Sequence, residues 1–133
     1  MPGTLVQDAL APVLHSGGTA ITTATTTTGT GVAVDQPGEV AIELAVGTIT
    51  GSSLVVTVEI QGSDVLAFSS GVVSYGRFAA IDEDSDDETR YLSAYVDKAY
   101  MRSVIVTSGT VTSVVPVITV REPHDRRVVG WTA

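Results

Sequence analysis

The amino-acid sequence predicts an all-β fold, an antiparallel β-sandwich. Of its 133 residues, 22 are valine and 18 are threonine, and side chains branched at Cβ suit a pleated strand better than a helix. Two segments alternate apolar residues with a period of two, as strands with one buried face do. Turn residues recur roughly every ten residues, a spacing typical of sandwich strands.

The first 18 residues are predicted to form an extended N-terminal arm, because Pro2, Pro12 and three glycines interrupt any regular element. Residues 19–30 follow with the sequence TAITTATTTTGT. Such a threonine-rich run predicts a strand at a sheet edge, with its hydroxyl groups facing water. A threonine array that binds ice or sugar would need the repeat to recur along the chain, and it does not.

The clearest strands are predicted at residues 39–46 and 54–61. Their predicted inward positions are apolar at every second residue: Val40, Ile42, Leu44, Val46, Leu54, Val56, Val58 and Ile60. The linker 47–53 is rich in glycine, serine and threonine, so the two strands are predicted to pair as an antiparallel hairpin.

Further strands are predicted at residues 65–68 and 72–81, the second with a bulge at Gly76. Residues 82–88, with the sequence DEDSDDE, hold six carboxylates. They predict an exposed loop, because burying that many charges is too costly.

The remaining strands are predicted at residues 90–96, 100–107 and 114–120, with a glycine-containing turn at 108–112. Pro116 has no backbone N–H to give to a ladder, so the last strand is predicted to lie at an edge or to be bulged.

Three parts result from this pattern. Residues 1–18 form the N-terminal arm, residues 19–120 an immunoglobulin-like or jelly-roll-like sandwich, and residues 121–133 a C-terminal tail. The tail changes character, since it holds three of the seven basic residues and the only tryptophan, Trp131.

Composition excludes several classes of function. Fifteen acidic against seven basic residues give a net charge of −8, which argues against binding to nucleic acid or to an anionic membrane. Without cysteine, there is no disulfide, thiolate nucleophile or cysteine-ligated metal. The N-terminus lacks the pattern of a signal peptide and the apolar stretches are only strand-sized, so synthesis in the cytoplasm without a membrane span is expected.

One weak metal candidate lies in the acidic segment. Asp82, Asp84 and Asp86 have the alternating spacing of the first half of a calcium-binding loop. However, Asp87 stands where such a loop has glycine, and Ser93 stands where it has glutamate. A solvated loop is therefore the favoured interpretation, and no metal or other cofactor is expected.

Catalytic chemistry is sparse. His15 lies in the arm, and His124 lies beside Asp125 in the tail, but a catalytic triad is assembled in space and not by sequence neighbours. The sequence has no nucleophile elbow and no phosphate-binding glycine loop. Because little chemistry is available for a cleft, the protein is expected not to be an enzyme.

The charges also suggest a mode of association. The tail residues Arg121, Arg126 and Arg127 complement the acidic segment 82–88. A head-to-tail contact between subunits is therefore predicted on the basis of opposite charge.

A family resemblance adds to these inferences. The stretch TTATTTTGTGVAVDQPGEVAIELAVGTITGSSLVVTVEIQGSD resembles small structural proteins of tailed bacteriophages that are encoded among head genes. Residues 99–106 and 114–120 are similar to the closing strands of the same sandwich, so the resemblance covers about residues 19–120. It implies a capsid decoration protein, which binds the outside of the capsid and stabilises it.

The resemblance also implies the partners and the location. These are the major capsid protein and further copies of this chain, with a trimer favoured, on the capsid surface after synthesis in the host cytoplasm. The residues expected to contact capsid or neighbouring subunits are Leu5, Val6, Leu10, Val13, Leu14, Arg121, Arg126, Arg127 and Trp131. The alternatives are a head–tail connector or tail structural protein, and a carbohydrate-binding or adhesin-like sandwich.

Overall fold

A computed structural model describes residues 13–15, 20–34 and 38–121. Within these residues, the regular secondary structure consists of β-strands only. The strands form two antiparallel sheets that pack against each other, so the predicted β-sandwich is confirmed. The strands are β1 (Val13–His15), β2 (Thr26–Thr28), β3 (Val32–Ala33), β4 (Gly38–Ala45), β5 (Ile49–Ser63), β6 (Val73–Arg77), β7 (Thr89–Val96), β8 (Tyr100–Val114) and β9 (Val117–Arg121).

The first sheet has the strand order β1-β9-β4-β7, and the second sheet has the order β2-β8-β5-β6, with β3 also paired to β8. The alternation predicted for β4 and β5 is confirmed, because their even-numbered apolar residues are buried between the sheets. Removal of these side chains from water is the main force that holds the two sheets together. The fully buried residues of largest volume are Ile42, Leu44, Leu54, Ile60, Ile81, Met101, Ile105 and Ile118.

The hairpin predicted between β4 and β5 is wrong. The strand β4 pairs with β7 and β9 in the first sheet, whereas β5 pairs with β6 and β8 in the second. The short connection 46–48 therefore crosses from one sheet to the other. Each strand has one apolar face, and placing the strands in opposite sheets lets these two faces cover each other.

The turn predicted at residues 108–112 is also wrong, since β8 continues through this segment to Val114. The register with β5 shifts between Ser52 and Val55, opposite Gly109. Gly109 has a φ of +87°, and a Cβ at this position would overlap the carbonyl oxygen of Ser53. The glycine thus marks a bulge within a long strand pair rather than a reversal of the chain.

Two other strand predictions are corrected. Residues 65–68 form a turn, closed by a hydrogen bond of 2.9 Å from Phe68 N–H to Val65 O. Pro116 lies between β8 and β9, where the chain crosses between the sheets, and β9 is an interior strand of the first sheet. Because β8 ends before Pro116, no hydrogen bond of its ladder requires the N–H that proline lacks. The bulge predicted at Gly76 is confirmed by the register shift beside it.

The sandwich begins earlier than predicted. Val13, Leu14 and His15 lie in the range expected to be the arm, but they form the edge strand β1, paired with β9. Leu14 joins the core because it alternates with the exposed Val13. The threonine-rich segment does supply an edge strand, β2, although this strand comprises only residues 26–28, and Ile21 forms a separate bridge with Val114.

Candidate functional site: the outer face of the first sheet

The outer face of the first sheet is the best candidate for an interaction surface. Two tyrosines of β7, Tyr91 and Tyr95, each expose 65% of their surface there, the largest values among the exposed large apolar side chains of the described residues. We call this surface the tyrosine face. The residues that point outward on its four strands are Val13, Glu39, Ala41, Glu43, Ala45, Thr89, Tyr91, Ser93, Tyr95, Val117, Thr119 and Arg121.

The strand register determines how these side chains meet. Glu43 lies in the middle of the face, because it is paired with Tyr91 on one side and with Thr119 on the other. The Tyr91 hydroxyl donates to Glu43 Oε2 at 3.1 Å, and Arg121 donates to Glu43 Oε1 at 3.2 Å. One carboxylate thus orients a tyrosine and an arginine on the same surface.

This contact changes the acidity of Tyr91. The hydrogen bond to Glu43, together with the negative charge of that carboxylate, raises the pKa of Tyr91 above its ordinary value. Ionisation of Tyr91 is therefore disfavoured beside Glu43, and its hydroxyl remains a hydrogen-bond donor to that carboxylate.

The residue types on this face suit protein contact. Ala41, Ala45, Ser93 and Thr119 place small side chains beside the two tyrosines and Glu43. Tyrosine and arginine are enriched among the residues that dominate binding energy at protein interfaces. The face is thus equipped to hold a flat partner surface through a few anchor side chains.

The structure describes three of the residues expected to contact a partner. Val13 and Arg121 lie on the tyrosine face, and Val13 is 47% exposed. The prediction that Leu14 contacts a partner is wrong, because its side chain is buried in the core. The other expected contact residues lie outside the described residues: Leu5, Val6, Leu10, Arg126, Arg127 and Trp131.

The acidic segment 82–88 is a surface loop between β6 and β7, as predicted. Its carboxylates accept hydrogen bonds from different backbone groups. Asp86 Oδ1 accepts from Ile49 N–H at 2.7 Å, and Asp82 Oδ1 accepts from Asp84 N–H at 2.9 Å. Within the described part of the chain, no three acidic or histidine side chains are arranged to hold a metal ion.

His15 is buried beside β9, with its Nδ1 atom 2.7 Å from the carbonyl oxygen of Pro116. This bond connects the edge strand to the crossing between β8 and β9. His124 and Asp125 lie outside the described residues. The predicted contact between the basic tail and the acidic loop stays a prediction, and the described tail residue, Arg121, pairs with Glu43 of its own chain.

Sequence reasoning missed the tyrosine face as a unit. Tyr91 and Tyr95 have the same parity within one strand, which is the signal that places them on one side. The neighbouring Glu43 and Arg121 come from distant segments, and only the sheet register brings them beside Tyr91. A second exposed apolar group, Val65, Leu66 and Val72, lies in the loop between β5 and β6.

No family model and no curated protein matches the sequence. Within the described residues, no helix has the length and apolar character that a membrane span requires.

Proposed function

We propose that the protein is a non-enzymatic virion structural protein that binds the outside of a bacteriophage capsid and stabilises it. The observation that carries this proposal is the tyrosine face, an outer sheet face with two exposed tyrosines on an acidic, β-rich sandwich. The resemblance of residues 19–120 to phage head structural proteins supplies the class of partner. The proposed partners are the major capsid protein and other copies of this chain.

The geometry of the face suits a capsid shell. A shell offers a broad surface of repeated subunits, and an outer sheet face can lie on it without a deep pocket. Tyr91, Tyr95 and Arg121 are anchors of the type that interfaces favour. The remaining surface has a large excess of carboxylates, which keeps the decorated particle soluble.

The body of the protein is suited to hold that face rigid. Strands β5 and β8 pair along almost their whole lengths and lie behind the first sheet. The acidic loop is bonded to the start of β5 through Asp86 and Glu83. A rigid surface loses little conformational entropy when it binds, which favours affinity.

A capsid-binding assay tests the role of the face. Capsids that lack this protein are mixed with the wild type or with the double variant Tyr91→Ala/Tyr95→Ala, and bound protein is measured by co-sedimentation. We expect the double variant to bind at least tenfold more weakly, since exposed tyrosine anchors commonly contribute more than about 1.4 kcal/mol. Val55→Ala/Val106→Ala, on the outer face of the second sheet, is the matched control and should bind like the wild type. Equal binding by all three proteins would contradict the proposed contact.

Copy number tests the class of protein. Quantitative mass spectrometry of purified particles compares this chain with the major capsid protein. Copies in numbers comparable to the capsid protein support decoration, whereas a number that fits one small ring supports a connector or tail component. Absence from particles would refute the proposal.

A second candidate function, carbohydrate binding, is favoured by one observation. Tyr91 and Tyr95 lie four residues apart on one strand, which separates their Cα atoms by roughly 14 Å along the face. Aromatic rings presented on a flat surface can stack on sugar rings. A glycan array with the wild type and the Tyr91→Ala variant tests this candidate. Glycan binding that is lost in the variant, without capsid binding, would favour it over decoration.

A further inference from the structure

The edges of the two sheets differ in how they are protected. Within the described residues, β1, β2 and β3 are edge strands of only two or three residues, and the five-residue edge strand β6 is bulged at Gly76. Short and bulged edges prevent pairing with another chain. The edge strand β7 is the exception, with eight residues and a regular register against β4.

The sequence of β7 also lacks the features that usually prevent an edge strand from pairing with another chain. It contains no proline or glycine, and Arg90 is its only charged residue. Natural edge strands commonly use proline, charged side chains or bulges against pairing. A long, regular edge that exposes two tyrosines is therefore a surface for adding another strand.

The open side of β7 can be assigned from its hydrogen bonds. Val46 N–H donates to Glu88 O at 2.8 Å, so the backbone oxygen of Glu88 faces β4. Bonded and non-bonded residue pairs alternate along an antiparallel ladder. The backbone groups of Tyr91, Ser93 and Tyr95 consequently point away from β4, to the open side.

We propose that β7 pairs in an antiparallel manner with β7 of a second copy of this chain, about a two-fold axis at Ser93. In this register, Tyr91 lies opposite Tyr95 of the partner subunit, and two such pairs form by symmetry. Cross-strand aromatic pairs stabilise antiparallel sheets. Serine, a small residue, occupies the position next to the axis.

The same register is also complementary in apolar surface. On the inner side, the half-buried Leu92 lies opposite Ala94 of the partner subunit. These matches favour a second copy over an unrelated strand, because they all arise from one register of the sequence with itself.

The resulting dimer unites the two tyrosine faces. A two-fold axis perpendicular to the sheet leaves both outer faces on the same side of one continuous eight-stranded sheet. This two-fold assembly differs from the trimer implied by the family resemblance. The inference rests on the geometry of β7 and does not depend on capsid binding.

Disulfide trapping tests the register directly. The chain has no cysteine, so Ser93→Cys introduces a unique thiol in the full-length protein. Hydrogen-bonded antiparallel partners have Cα atoms about 5.5 Å apart, a distance that permits a disulfide. Mild oxidation should give a covalent dimer of Ser93→Cys, whereas the control Ser108→Cys, also at an exposed position but on the second sheet, should stay largely uncrosslinked.

Sedimentation equilibrium provides the second measurement. The wild type should show a monomer–dimer equilibrium, and Ser93→Pro should weaken it at least tenfold. The N–H of Ser93 points to the open side, so proline removes a donor from the dimer but not from the ladder with β4. If Ser93→Pro does not fold, the cysteine variants decide the outcome. A wild type that stays monomeric at high micromolar concentration, or equal crosslinking of the two cysteine variants, would overturn the proposal.

Discussion

Gly62 lies near the end of β5, where Tyr75 of β6 crosses it. The Tyr75 hydroxyl accepts hydrogen bonds from the backbone N–H groups of Asp97 and Lys98 and lies 3.0 Å from Asp97 Oδ1. Partial burial of the phenol is the main cause that raises the pKa of Tyr75 above its ordinary value; the Asp97 carboxylate raises it further, whereas the two backbone N–H donors lower it. One tyrosine thus connects the second sheet to the turn between β7 and β8.

Gly62→Ala should destabilise the protein. A Cβ at this position would overlap the ring and hydroxyl of Tyr75, so the ring must move and its hydrogen bonds are weakened. We expect the free energy of unfolding to fall by about 1–3 kcal/mol, the range for overpacked sites, as measured by urea denaturation. In a Tyr75→Ala background the same change should be nearly neutral, and an unchanged penalty there would contradict the explanation.

The titration of Tyr91 tests the contact at the centre of the tyrosine face. Ionised Tyr91 is disfavoured beside the Glu43 carboxylate, which is why its pKa is raised. Glu43→Gln removes the negative charge and should lower the pKa of Tyr91. The measurement is ultraviolet titration of phenolate formation, with the same substitution in a Tyr91→Phe protein as the control. A tyrosine titration that Glu43→Gln leaves unchanged would show that the contact does not form in solution.

At the scale of elements, the acidic loop stabilises the start of β5. Asp86 accepts the N–H of Ile49, and the Glu83 carboxylate accepts the N–H groups of Ser53 and Leu54. These donors lie at the crossing from β4 and at the bulge opposite β8, where the regular ladder is interrupted. The loop is therefore a structural clamp for the longest strand pair as well as an exposed charged segment.

Asp86→Ala should cost about 1.5–3 kcal/mol of unfolding free energy, because it removes a charged acceptor from a partly buried N–H. The side chain of Asp84 is exposed and accepts no hydrogen bond from the described residues, while its backbone N–H donates to Asp82 Oδ1. Asp84→Ala is therefore a matched control, and its effect should stay within about 0.5 kcal/mol. Thermal and urea denaturation measure both variants, and equal effects would argue against a clamp.

At the scale of the whole molecule, β1 forms one edge of the first sheet, although it precedes every strand of the second sheet in the chain. Leu14 is buried in the common core, and His15 reaches the carbonyl oxygen of Pro116. The N-terminal region is therefore divided between residues that belong to the sandwich and residues 1–12, which the structure does not describe.

Leu14→Ala should lower the free energy of unfolding by about 2–4 kcal/mol, as expected for a cavity left in a core. Val13→Ala, on the exposed side of the same strand, should change it by less than about 0.5 kcal/mol. Deleting residues 1–18 should destabilise at least as much as Leu14→Ala, so a test of an arm in capsid binding should remove residues 1–12 only. Similar stabilities for Leu14→Ala and Val13→Ala would show that β1 does not contribute to the core.

Several features of the fold were predictable from local sequence because they depend on local sterics and periodicity. The alternation in β4 and β5, the acidic loop and the bulge at Gly76 belong to this group. The choice of partner strand was not predictable from local sequence. A glycine- and serine-rich linker fits a hairpin and a crossing between sheets equally well, and Gly109 fits both a turn and a bulge.

The sequence by itself determined the all-β class, the inward faces of the long strands and the exclusion of cysteine chemistry. Only the tertiary structure decided which strands are neighbours, and with that the composition of the tyrosine face. Glu43 and Arg121 are separated by 78 positions in the chain, and their contact arises because β4 and β9 are adjacent in one sheet. The physical reason is that burial dictates which side of a strand faces inward, whereas the pairing of strands depends on how all apolar faces are covered together.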